Sequence, residues 1–134
     1  MNRRASVIIL RDKEVLLVKL KDLDKALPRS TWVFPFVELE ENESPRKAIN
    51  DLLREFGINY SLRKEIFKYV PSENPKLNYV VYVVDYVGGE PNVAARFQTY
   101  KWVKAEDIIA YSTTFMDTNI SNYLKEIASK PEEI

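Results

Sequence analysis

Apolar residues in the first third of the chain come in short runs rather than at helical spacing. Ala5–Leu10 and Glu14–Leu20 read as two strands joined by Arg11-Asp12-Lys13. The unbroken Val15-Leu16-Leu17-Val18 predicts a strand covered on both faces. A polar connection, Lys21 to Ser30, follows, and Thr31–Phe34 predicts a short strand ending at Pro35. Then the period changes. Ser44 and Pro45 supply a helix N-cap and a first-turn proline. Ala48, Ile49, Leu52, Leu53 and Phe56 recur on one helical face. Gly57 stands where a left-handed C-terminal glycine belongs. The opposite face carries Lys47, Asn50, Asp51, Arg54 and Glu55.

Alternation resumes afterwards. Leu62–Tyr69 predicts a strand, Pro71 to Lys76 a loop, and Leu77–Val87 the strongest strand of all, stopped by the Gly88-Gly89 turn signal. Phe97–Val103 predicts a further strand, Lys104 to Ile108 a short helix or turn, and Asn119–Ser129 an amphipathic helix, with Lys130 to Ile134 fraying. No internal repeat or linker interrupts this order. The expectation is one α+β domain over 1–134, a mixed sheet flanked by helices.

A chain of 134 residues is long enough for one domain with a real core. Lys+Arg and Asp+Glu both number 20, so no electrostatic case exists for bulk nucleic-acid or membrane binding. The absence of cysteine excludes disulfides and thiolate metal sites. The absence of histidine removes imidazole ligands and Ser-His nucleophiles. Any catalysis must therefore rest on carboxylates, Lys, Arg, Tyr or a hydroxyl, with a hard cation held by oxygens. No stretch reaches the roughly 20 apolar residues that cross a bilayer. The apolar part of the N-terminus is only a strand long, which argues against a signal peptide and makes cytoplasmic residence the expectation.

The segment Trp32 to Ile58 resembles the Nudix box, G-x5-E-x7-R-E-U-x-E-E-x-G-U with U a bulky apolar residue, usually preceded by W-x-x-P-G-G. Trp32-Val33-Phe34-Pro35 matches the approach, Glu43 falls six residues after Val37 as the box requires, and Gly57-Ile58 closes it. Phe36-Val37 stands in place of the glycine pair. Counting back from Gly57 puts Asn50 at the Arg position, Asp51 at the first Glu, and Arg54 and Glu55 at the paired Glu positions, with one residue missing between Glu43 and Asn50. The likeness continues through "VLLVKL", "GGEPN" and "YKWVKAEDI", so it covers nearly the whole chain. It implies a Nudix-like α/β/α sandwich. It also implies a protein that handles nucleoside diphosphate derivatives with Mg2+ or Mn2+ held by the box helix.

The residues divide on that chemistry. Asp51 and Glu55, with Glu43 or Glu40, are the candidate metal ligands, and Asp51 and Glu55 the candidate catalytic pair. Arg54, however, puts a permanent cation where a carboxylate would bind. At about 5 Å and an effective dielectric near 20, each unit of charge is worth several kcal/mol against a divalent ion. Arg54 and Lys47 are alternatively candidate phosphate contacts. The plainer alternative is a solvated face with ordinary Lys47–Asp51 and Asp51–Arg54 ion pairs. Alternation puts Tyr79 on one sheet face and Tyr82 and Tyr86 on the other, which favours packing over a base-stacking platform. Trp32 and Trp102 read as packing residues, and Arg3-Arg4 as a terminal basic pair without assigned function.

Two functions follow from the resemblance. One is a catalytically impaired Nudix-fold protein that binds a nucleotide, a nucleic-acid end or a protein partner. The other is an Mg2+- or Mn2+-dependent hydrolase of nucleoside diphosphate derivatives. A homodimer is expected by family analogy alone.

Overall fold

The computed structural model describes residues 2–22, 32–70, 74–110 and 118–130. In order, the elements are β1 (Asn2–Arg11), β2 (Glu14–Lys19), β3 (Trp32–Val33), β4 (Phe36–Leu39), α1 (Pro45–Phe56), β5 (Asn59–Tyr69), β6 (Leu77–Gly88), β7 (Thr99–Lys104), a 3-10 helix (Ala105–Ala110) and α2 (Thr118–Ser129). Among the described residues the strands form one seven-stranded mixed sheet with the path β3-β2-β1-β6-β5, to which β4 and β7 add as side branches. Most of the Lys21 to Ser30 connection, the first half of the Pro71–Lys76 loop and the last four residues lie outside the described residues.

β1 is the hinge of the architecture. One edge pairs in parallel with β6 from Asn2↔Leu77 to Leu10↔Asp85. The other edge is shared: β4 takes Arg3 to Ser6, and β2 takes Leu10 and Arg11. Between these two partners the Val7 N–H and the Ser6 hydroxyl both donate to the Pro35 carbonyl, at 3.0 and 3.1 Å. The sheet therefore splits beside Pro35, β2 leading away to β3 and β7.

The helices lie on opposite faces. Tyr60 pairs with Tyr86 and reaches Asn50 on α1, whereas Phe67 pairs with Val81 and meets Tyr123 on α2. Residues 81 and 86 point oppositely because side chains alternate along a strand. Coverage on both sides explains the unbroken burial of Val15 to Val18 and of Val81 to Val84. The expected α/β/α sandwich is the observed one.

Three expectations are corrected. β1 begins at Asn2 and not at Ala5, so the Arg3-Arg4 pair belongs to the strand. Phe36 to Leu39 forms an unexpected strand, because the β1 edge left open by β2 supplies its partners. Phe97 precedes its predicted strand; its N–H closes a turn onto the Val93 carbonyl at 2.9 Å.

Candidate functional site

α1 forms as its sequence dictates. The Ser44 hydroxyl caps the Lys47 N–H at 3.3 Å, and the N–H of Gly57, at φ 75°, returns to the Arg54 carbonyl at 3.0 Å. Ala48, Ile49, Leu52, Leu53 and Phe56 are buried, which turns Lys47, Asp51, Arg54 and Glu55 outward. Asn50 lies half-buried on the flank and accepts from the Tyr60 hydroxyl at 2.8 Å.

Each outward carboxylate has a cation beside it. Asp51 lies 3.9 Å from the Arg54 guanidinium, a loose contact on a side chain that is 83% exposed. Glu55 accepts from Arg96 Nε at 2.6 Å, from a loop 41 residues further along. Among the described residues Lys47 joins no ion pair, so the anticipated Lys47–Asp51 contact does not form.

The acidic loop before the helix turns on itself. Glu43 Oε1 accepts from the Glu40 N–H at 3.0 Å, and the Glu43 N–H donates to the Glu40 carbonyl at 3.1 Å. Arg3 then donates to the carbonyls of Glu40 and Glu43, at 3.1 and 3.3 Å. Asn42 takes the left-handed turn at φ 67°.

A divalent cation needs several oxygens converging on one point. Among the described residues no group of three or more acidic side chains is placed to hold a metal ion. Asp51, Glu55 and Glu43 are instead engaged separately, by Arg54, Arg96 and a backbone N–H. As arranged, the donor set does not fit a metal centre.

Next to the helix Phe36, Phe97 and Phe56 form an aromatic cluster. The Phe36 ring lies 5.9 Å from Phe97, and Phe97 lies 6.3 Å from Phe56, both edge-to-face. Buried Arg4 lies over Phe36 at 4.6 Å and donates to Glu38 and to the Tyr79 hydroxyl. Tyr79 and Tyr82 are buried, and Tyr86 packs edge-on against Trp102 at 5.2 Å. Trp102 and Trp32 are also covered by cations, Arg11 and Lys101, each 4.1 Å from the ring centre.

Arg3, Arg4 and Arg96 escape a sequence reading. Their contacts join residues 34 to 75 positions apart, and no periodic signal marks such a pair.

Neither a protein-family model nor a curated protein matches the chain. Solved structures do. An Ap4A hydrolase from C. elegans superposes with a TM-score of 0.66 at 16% identity, covering 96% of each chain. An ADP-ribose pyrophosphatase from Streptococcus suis gives 0.64 at 13% identity over 98% of this chain and 94% of its own. A NUDIX-family hydrolase from Clostridium perfringens gives 0.61 at 20% identity, over 94% and 95%.

The chain has the Nudix fold. α1 is the helix that the sequence resemblance likens to the box, and Phe36-Val37 starts β4. A cavity of about 930 Å3 lies apart from it, lined by Lys13, Arg63, Asp85, Lys104, Glu106 and Ile127 among others and by no residue of α1. No helix among the described residues is long and apolar enough to cross a membrane.

Proposed function

We propose that this Nudix-fold protein binds a nucleotide-like ligand at the exposed face of the box helix and is impaired in metal-dependent hydrolysis. The observation that carries the reading is the engagement of both helix carboxylates by arginines, Asp51 by Arg54 and Glu55 by Arg96. A divalent ion would have to displace a guanidinium at Glu55 and would sit beside one at Asp51. The same substitutions leave cations in reach of an anion: Arg54 is almost fully exposed, and Lys47 stands seven residues, two helical turns, before it. These two residues are the proposed phosphate contacts. The names of the structural neighbours, an Ap4A hydrolase and an ADP-ribose pyrophosphatase, support a ligand built on nucleoside phosphates.

A second reading keeps the reaction. Asp51 and Glu55 remain one turn apart on one face, so rotation of Arg54 and Arg96 would free both for Mg2+ or Mn2+, with Glu43 or Glu40 adding an oxygen. In that case Asp51 and Glu55 are the catalytic pair.

One experiment separates the readings. The purified protein is incubated with nucleoside diphosphate derivatives, dinucleoside polyphosphates and triphosphates, with and without Mg2+, while ligand binding is followed in parallel. Binding without turnover, weakened in Arg54→Ala, supports the first. Metal-dependent turnover that disappears in Glu55→Gln overturns it.

A further inference from the structure

We infer that Arg96 is a resident counter-ion for Glu55, taking the place that a divalent cation would occupy on the box helix. The inference rests on the reading above that the helix face works without metal. An exposed Arg–Glu pair alone would carry little weight, and both side chains here are partly exposed, at 45% and 38%. The loop that delivers Arg96 is what distinguishes this pair.

That loop is docked on both sides of the arginine. The Asn92 N–H donates to the Phe56 carbonyl at 2.9 Å, at the C-terminal end of α1. The Val93 carbonyl accepts from the N–H groups of Arg96 and Phe97, at 3.0 and 2.9 Å. Val93 and Phe97 are buried, and Phe97 is wedged between Phe56 and Phe36. The backbone of Arg96 is therefore ordered by its neighbours, which removes the backbone share of the entropy that an ion pair on a free loop would lose. Phe36 occupies the place of the first glycine, and a glycine would offer Phe97 no ring to lean on. The lost glycine and the captured carboxylate are thus mechanically connected, through Phe36, Phe97, Arg96 and Glu55.

The charges agree. Arg54 and Arg96 put a cation beside each of the two helix carboxylates, Asp51 and Glu55, which weakens the local attraction for a divalent cation.

The test titrates nucleotide-free protein with Mn2+, read by water-proton relaxation. Wild type is expected to show no Mn2+ binding that depends on Glu55. Arg96→Ala is expected to raise Mn2+ affinity on the order of tenfold or more, and Arg96→Ala/Glu55→Gln to abolish the gain. Arg96→Lys, which keeps the charge and the loop, is expected to behave like wild type and provides a check if the alanine variant folds poorly. Wild-type Mn2+ binding that is lost in Glu55→Gln overturns the inference, as does an Arg96→Ala affinity equal to wild type. Because no nucleotide is present, a failure to find a nucleotide ligand leaves this result standing.

Discussion

Arg4 and Glu38 face each other across β1 and β4, and the Arg4 Nε donates to Glu38 Oε1 at 2.6 Å. Their exposures differ sharply: the Arg4 side chain is 6% accessible and that of Glu38 61%. The guanidinium is the buried partner, held by the carboxylate, the Tyr79 hydroxyl and the face of Phe36. Water can still solvate Glu38 if Arg4 is removed, so much of the cost of losing Arg4 lies in packing. Arg4→Ala is expected to lower stability by about 2–4 kcal/mol, and Arg4→Met, which refills the volume, by about 1–2 kcal/mol. Urea denaturation of the two variants checks the ranking; equal losses would mean that the charge, not the volume, is what the site needs.

Gly57 and Gly89 both have positive φ, at 75° and 100°, and they differ in surroundings. A Cβ on Gly57 would meet nothing within 4 Å, whereas one on Gly89 would lie 2.7 Å from the Gly57 carbonyl oxygen. Backbone cannot swing away as a side-chain tip can. Gly57→Ala should therefore cost about 1 kcal/mol, the ordinary left-handed penalty, and Gly89→Ala about 2 kcal/mol or more. Thermal melts of the pair test the order.

Asn50, on the flank of α1, accepts from the Tyr60 hydroxyl at 2.8 Å. This bond ties α1 to β5. Tyr60→Phe and Asn50→Ala are each expected to cost about 1 kcal/mol, and the double variant less than their sum by about 0.5–1 kcal/mol. A double-mutant cycle in urea measures the coupling, and strict additivity would show that the bond does not contribute.

Burial holds the Tyr123 hydroxyl above the usual tyrosine range, opposed by nearby Arg63. Tyr100 is also raised, first by its hydrogen bond to Glu90. An unfolded tyrosine ionises near pH 10. Above that the unfolded chain releases these protons first, so stability falls as pH rises; below it their contribution is fully present. The Tyr123 hydroxyl also lacks a hydrogen-bond partner among the described residues. Tyr123→Phe should accordingly match or exceed wild-type stability at neutral pH, by up to about 1 kcal/mol. Its urea midpoint should also fall less steeply above about pH 10.

What the sequence determined by itself is local. α1 was legible down to its caps because Ser44, Pro45, the apolar spacing of Ala48 to Phe56 and Gly57 act within a few residues of one another. The doubly covered strands were legible because Val15 to Val18 is an unbroken apolar run. Tertiary structure alone decided the rest. Phe36 to Leu39 became a strand only because β2 leaves part of the β1 edge open. Arg4 was buried by Tyr79 and Phe36, which are far from it in sequence. Glu55 meets Arg96 beside Phe97, whose ring contacts both Phe36 and Phe56. Periodicity and capping are short-range along the chain, whereas the partner of an outward charge is chosen by which loop the packed core brings past it.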